Sequence, residues 1–431
     1  MLALLLYRLI FLLLLPVLLL ALFIRSLSSS QYRQRLTERL GFFPKPFKQG
    51  GIVVHAASVG EVIALTPFIE QILTRYADLP ITITTFTPTG SAQVHKQFGS
   101  RVQHSFLPLD VLPCTQLFLS RLQPKLVIFM ETELWPNLIG QCTQKNIKLL
   151  LINGRLSKKS MKSYQKITSL ITPALNRFDK ILCQSHDNYE HFIQLGADVH
   201  RTEVSGNLKF DLSVNQTTFD KAAQLQQLLP NGRTIWLVAS THEGDEKIAL
   251  NAFKALKVHF PTLLLVLVPR HPERFNSVAK LCLSHHFTLA KRSENTQLTT
   301  QDIWLLDTLG ELMAAYSLAD IVTMGGSFSH IGGHNPLEPA LFKKPIIVGH
   351  NMSNFAEIMQ QLQQENAVEQ LVSPTTDNSE SSAQTLATAV DSLLKKPKKA
   401  DSLGENAHKV VMANQGASSR TLAQVKALID G

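Results

Sequence analysis

The chain has 431 residues, 42 Lys and Arg against 33 Asp and Glu for a net charge of +9, and 45% apolar residues. That length is too great for one ordinary core and points to two domains with an appendage. A basic balance suits nucleic acid, a membrane surface or an acidic small substrate, but no zinc-ligand spacing, RNP-like motif or long basic run accompanies it, so nucleic acid is excluded as the expected partner.

Residues 1–24 read as a membrane anchor. Arg8 is the only charge before Arg25, and Leu9 to Ile24 is unbroken apolar chain apart from Pro16. About 20 apolar residues span a bilayer core. A cleaved signal peptide is the competing reading; it lacks a basic cluster before the apolar run and a small-x-small site after it. Arg25, Arg33, Arg35, Arg39, Lys45 and Lys48 follow, opposed only by Glu38. Such a flank predicts a cytoplasmic body and attraction to inner-membrane lipids.

A first strand–turn–helix series occupies 25–205, with strands expected at Ile52–Ala56, Ile81–Phe86, Leu126–Met130, Leu149–Asn153 and Lys180–Gln184. Residues 206–215 read as a hinge. A second series fills 216–415, with strands at Thr234–Ala239, Leu263–Val268, Ile303–Leu306, Ile321–Met324 and Pro345–Val348. Residues 372–383 read as a polar loop and 416–431 as a final helix. Short continuous apolar strands alternating with helices predict α/β architecture: two Rossmann-like domains with parallel sheets, facing a cleft at the strands' carboxyl ends. Cys114, Cys142, Cys183 and Cys282 lie in or beside apolar runs and read as buried, reduced thiols.

The strand-end loops carry the chemistry. In Ala57–Glu61, Glu61 follows the first strand and suits a general base on an acceptor hydroxyl; a first-turn Glu that only complements the helix dipole is the competing reading. Glu131 and Glu133 beside Trp135 suit sugar contact or electrostatic work, or a plain helix cap. Lys209, in the hinge, suits an anionic substrate. Pro269 and Arg270 end a strand, where Arg offers a forked anion contact or a surface ion pair. Leu309, Gly310 and Glu311 begin another helix at a strand end. The loop 325–339 holds four glycines, then Asn335, Pro336, Leu337 and Glu338. Asn335 is expected as N-cap with Pro336 at the first helical position, forming an anion site; Glu338 suits a ribose diol. No Asp-x-Asp motif, His/Cys metal spacing, Walker lysine loop or dinucleotide fingerprint is present.

These motifs, in order with Thr84–Ser91, Gly206–Asp211 and Ser240–Glu246, resemble the 3-deoxy-D-manno-octulosonic acid (Kdo) transferases of lipopolysaccharide assembly. The resemblance covers nearly the whole chain. It implies a GT-B fold, CMP-Kdo as donor, a lipid A precursor (lipid IVA) as acceptor, and inversion without metal ion or cofactor at the inner membrane. It implies Glu61 as general base and Glu131 and Lys209 as transition-state stabilisers. It places the CMP portion on Pro269, Arg270, Leu309 to Glu311, and Asn335 to Glu338. Another GT-B transferase, using a different nucleotide sugar and a lipid acceptor, is the alternative.

Overall fold

The computed structural model describes residues 2–28, 35–43, 46–372 and 379–431. Arg33, Lys45 and 373–378 of the expected polar loop lie outside the described residues. The chain forms two compact units, Met1–Asp211 with Asn414–Gly431, and Leu212–Ala413.

The first unit opens with α1 (Leu2–Ser28). Its sheet contains β1 (Ile52–His55), β2 (Ile81–Thr85), β3 (Gln103–Phe106), β4 (Leu126–Met130), β5 (Lys148–Gly154), β6 (Lys180–Cys183) and β7 (Thr202–Val204). Their order is β3-β2-β1-β4-β5-β6-β7, with every pair parallel. Both faces are buried. On β4, Val127 and Phe129 enter one core while Leu126, Ile128 and Met130 enter the other, which is why the strand reads as unbroken apolar sequence. The crossovers include α2 (Val59–Arg75), α3 (Pro88–Phe98), α4 (Leu112–Leu122), α5 (Pro136–Gln144), α6 (Lys158–Tyr164), α7 (Thr168–Leu175) and α8 (His186–Gln194). Four of them start on a side-chain cap that accepts an amide three residues on: Ser58, Thr87, Ser157 and Ser185.

The second unit contains α9 (Gln216–Leu228), β8 (Ile235–Thr241), α10 (Asp245–Lys257), β9 (Leu264–Pro269), α11 (Phe275–Ser284), β10 (Leu289–Lys291) and β11 (Ile303–Leu305). It continues through α12 (Leu312–Leu318), β12 (Ile321–Met324), α13 (Leu337–Leu341), β13 (Ile346–Val348), α14 (Ala356–Gln364), β14 (Glu369–Gln370), α15 (Ser379–Lys395) and α16 (Pro397–Asn414). The sheet order is β10-β11-β9-β8-β12-β13-β14, again parallel throughout. The last helix, α17 (Ala417–Ile429), returns to the first unit, where Ala417 and Val425 join the core beside α2.

The structure corrects three expectations. Residues 379–383, read as loop, are the first turn and more of α15. Arg35 and Arg39, read as headgroup-facing, serve the interior. Arg35 donates to Glu38, to Ser91 Oγ at 3.1 Å and to the His104 carbonyl at 2.8 Å. Arg39 is buried, donates to the Phe86 carbonyl at 2.6 Å and lies 4.5 Å over the Phe106 ring. Finally, α13 begins at Leu337 rather than near Asn335 and is five residues long.

Candidate active site

In the first unit the candidate groups lie at or just beyond the carboxyl ends of β1, β4, β5 and the edge strand β7. The turn after β1 ends at Ser58, the N-cap of α2, and Glu61 lies one turn inside. Each Glu61 oxygen has its own donor: Ala57 N–H to Oε2 at 2.8 Å and Ser58 Oγ to Oε1 at 2.9 Å. The carboxylate is thus fixed in orientation while keeping lone pairs open. Burial first, then the Glu131 charge, raises its pKa above the ordinary value; the two donors and His55 pull the other way.

Glu131 follows β4 with φ of 60°, a left-handed conformation unusual for Glu, and its amide donates to the Ile152 carbonyl at 2.9 Å. Its Oε1 lies 3.6 Å from Lys209 Nζ. Lys209 sits on a single turn, Leu208–Phe210, capped by Asn207, whose Oδ1 accepts the Lys209 amide at 3.0 Å. Asn153, at the end of β5, accepts the Leu208 amide at 2.9 Å. Glu61, Glu131 and Lys209, far apart in sequence, therefore share one rim. Glu133 takes a different role: its Oε2 accepts Trp135 Nε1–H at 2.9 Å.

His55 and Asn153 were not singled out by sequence reasoning. His55 is fully buried at the end of β1. Its Nδ1 is 2.9 Å from Thr84 Oγ1, and its Nε2 has no hydrogen-bond partner but lies 3.8 Å from Glu133 Oε2. The signal was available: a His closing an otherwise apolar strand immediately before a loop bearing a carboxylate.

In the second unit, β9 ends at Pro269 and the Arg270 amide donates to the Thr241 carbonyl at 3.0 Å, tying two strand ends together. The Arg270 side chain is exposed. Its charge depresses the pKa of His334 and opposes the rise at Glu338, so Arg270 and the glycine loop share one electrostatic neighbourhood. Gly325 passes so close to β8 that an added Cβ would meet the Ser240 carbonyl at 2.6 Å. Asp245 Oδ2 pins the loop by accepting Gly326 N–H at 2.6 Å and His242 N–H at 2.8 Å. His242 Nε2 and His334 Nε2 are 2.8 Å apart, and burial leads in lowering both pKa values, that of His334 to about 4. Beneath them Arg274 holds the buried Glu246 with Nη1 at 2.6 Å and Nη2 at 3.0 Å. Asp245, Glu246 and Arg274 brace the loops; they were visible in the sequence only as members of motifs, because their partners lie on other strands.

Asn335 Oδ1 accepts the Leu337 amide at 3.2 Å, so it stabilises the start of the short helix from one position further out. With so few peptide units α13 has little dipole, and the amides of Gly325, Gly326 and Gly333 are already bonded to the Ala239 carbonyl, to Asp245 and to the Gly326 carbonyl. Glu338 is half-buried, and burial pushes its pKa to about 7. Leu309–Glu311 is arranged differently. Leu309 is exposed, the Gly310 carbonyl accepts Lys221 Nζ at 2.8 Å, and the buried Glu311 carboxylate is held by Arg292 Nη2 at 3.0 Å and by Thr308. Its side chain is engaged within the unit. Among the described residues no three His, Cys, Asp or Glu side chains are grouped to hold a metal ion.

Two parallel-sheet α/β units, each with polar loops at its strand ends, give the chain a GT-B-type architecture. A UDP-GlcNAc 2-epimerase from Neisseria meningitidis matches 88% of this chain and 99% of its own at 14% identity, with a TM-score of 0.58. A glycosyltransferase from Rickettsia africae matches 88% of this chain and 99% of its own at 16% identity, with a TM-score of 0.56. These likenesses establish the fold. The family follows from sequence: residues 34–212 match the family model of 3-deoxy-D-manno-octulosonic-acid transferase (kdotransferase). The 3-deoxy-D-manno-octulosonic acid transferase of Haemophilus influenzae is 41% identical over 412 residues, 94% of each chain. The chain belongs to the Kdo transferase family and is a glycosyltransferase.

Proposed function

We propose that the protein transfers Kdo from CMP-Kdo to a lipid A precursor with inversion at the anomeric carbon, at the cytoplasmic face of the inner membrane. The observation that carries this reading is Glu61: a carboxylate oriented by two donors, with a raised pKa, on the same rim as an acid–lysine pair. Glu61 takes the proton of the acceptor hydroxyl as its oxygen bonds to the anomeric carbon and the bond to the CMP phosphate breaks. The raised pKa makes it a stronger base than an ordinary Glu. Lys209 and Glu131 stabilise the charge that redistributes around the acidic sugar. In the second unit Pro269 and Arg270, the Leu309–Glu311 turn and Asn335–Glu338 hold the CMP portion. Arg270 meets the phosphate and the ionised Glu338 the ribose diol, with no metal ion or cofactor taking part. The apolar α1 keeps the first unit beside the leaflet that holds the acceptor.

The test is incubation of the full chain with CMP-Kdo and tetraacylated lipid A precursor, with and without excess chelator, followed by mass spectrometry of the lipid. A Kdo adduct in both samples is expected. Turnover of a UDP- or GDP-hexose in its place would assign another GT-B activity, and loss of the adduct with chelator would overturn the metal-free step.

A further inference from the structure

The N-terminal helix is fastened to the first unit by its own second turn. Tyr7 Oη donates to Asp110 Oδ2 at 2.8 Å, and Arg8 Nε donates to Asn137 Oδ1 at 3.0 Å. Asp110 is buried and also accepts the Asn137 and Leu138 amides at the start of α5, at 3.0 and 2.8 Å. Along α1, half-buried residues recur at Leu4, Arg8, Phe11, Leu15, Leu18 and Leu22. That alternation of four and three is a single seam down one side of a helix, and α1 packs against α7. The other faces, including Leu2, Leu13 and Leu20, are exposed.

A helix standing across a bilayer could not make these contacts. From Arg8 to Arg25 the axis rises about 26 Å, against a hydrocarbon core of about 30 Å. With Arg25 at the interface beside the unit, Tyr7 and Arg8 would reach the opposite face, far from Asp110 and Asn137. Beyond the other end of the helix, Arg35 is bonded to Ser91 and His104 of the same unit. Both ends of α1 thus belong on one side.

The neighbouring surface supplies charge of the matching kind. Residues 155–178, which include α6 and α7, contain Arg155, Lys158, Lys159, Lys162, Lys166 and Arg177 and no Asp or Glu. All four lysines are exposed. Since Arg35 and Arg39 are engaged internally, this segment is where the first unit can meet anionic headgroups.

We propose that α1 lies in the plane of one leaflet, its seam on the first unit and its opposite face among the acyl chains, with residues 155–178 resting on anionic lipid headgroups. The proposal rests on the membrane reading given above. Leu2, Leu13 and Leu20 fall within about 20° of one another around the helix. The native cysteines are buried, so Leu2→Cys, Leu13→Cys and Leu20→Cys can each be labelled selectively with an environment-sensitive fluorophore on the full chain. The labelled proteins are reconstituted in phosphatidylethanolamine–phosphatidylglycerol vesicles, and label depth is read with depth-calibrated quencher lipids. Equal depths, within a few Å, are expected. A label at mid-bilayer for Leu13 with both others near the interfaces would overturn the in-plane placement while leaving the membrane reading intact. Unquenched, water-exposed labels at all three positions would overturn both. A photoactivatable phosphatidylglycerol headgroup should cross-link to peptides of 155–178 and lose at least about tenfold of that yield when Lys158, Lys159, Lys162 and Lys166 are all changed to Gln. Unchanged yield would remove the segment from the headgroup surface.

Discussion

Glu338 offers a quantitative link between the second unit's stability and its proposed work. Burial raises its pKa from 4.5 to about 7, against the opposing hydrogen bond from Asn335 and the charge of Arg270. A carboxyl whose folded pKa lies above its unfolded one destabilises the fold only where it must ionise. There is no penalty well below pH 4.5. The penalty grows as pH rises through the window from 4.5 to about 7 and is complete above it, at about 3 kcal/mol. Glu338→Gln removes the titration while keeping an acceptor for Asn335. At pH 8 the variant should gain nearly all of that energy, and at pH 5 only about 1 kcal/mol. For a unit of this size the difference corresponds to a melting shift larger by about 5–10 °C at pH 8 than at pH 5. Differential scanning calorimetry of the full chain at both pH values reads it directly, and CMP titration should show weaker binding by the stabilised variant. An equal shift at the two pH values, or none at pH 8, would show that Glu338 does not ionise under strain, and the ribose assignment would lose its physical basis.

Four further outcomes test the rims. Glu61→Gln should lower transfer by about 10²–10⁴-fold with CMP binding unchanged in calorimetry; residual transfer near the native rate would remove Glu61 from the base role. Lys209→Ala leaves Glu131 uncompensated beside Glu61, so the Glu61 pKa should rise further and the acid limb of the kcat profile should move to higher pH. An unmoved limb would break the proposed coupling. Arg270→Ala should weaken CMP-Kdo binding by about tenfold or more, checked by equilibrium titration; equal affinity would take Arg270 out of the donor site. Glu131→Gly relieves the left-handed backbone and deletes the carboxylate, whereas Glu131→Gln keeps the strain and deletes only the charge. Equal losses of transfer would assign the effect to the charge, and a native rate in the Gln variant would leave Glu131 only its backbone role.

The central strands of both sheets were legible in the sequence because they are buried on two faces and read as apolar runs, as in Leu126–Met130 and Ile321–Met324. The four strands that were missed, β3, β7, β10 and β14, are the edges of the two sheets. An edge strand has a partner on one side only, and its residues include Gln103, Glu203, Lys291 and Glu369, so no apolar run marks it. The site showed the same division. Glu61 could be placed just inside α2 from local capping chemistry, whereas the cap expected at Asn335 falls at Pro336. The pairing of Glu131 with Lys209, the pinning of Gly326 by Asp245 and the clamp of Arg274 on Glu246 depend on which strand ends become neighbours, and sequence spacing carries none of that. The basic flank misled for a related reason: Arg39 carries enough apolar stem to be buried, so its charge alone did not reveal its position.

Backbone strain gives an independent view of where the two units do their work. Glu131, Asn153 and Ser240 all adopt left-handed conformations at the carboxyl ends of β4, β5 and β8, with φ of 60°, 53° and 55°. Asn tolerates this geometry, but Glu and Ser do so at a cost of about 1 kcal/mol or more each. Nothing about a parallel sheet requires it; β1, β9 and β12 end without a non-glycine residue in that region. What the three positions share is their neighbours. Glu131 faces Lys209 across the first unit's rim, Asn153 holds the turn that carries Lys209, and Ser240 underlies Gly325 in the glycine loop. At Asn153 and Ser240 the strand pairing also shifts register, between Leu151 and Gly154 and between Ala239 and Thr241. Strain of this kind persists only where surrounding structure over-determines it. Here that structure is the set of side-chain bonds from Asn153, Asn207 and Asp245. Those three residues are therefore as much a part of the candidate sites as the charged groups they position.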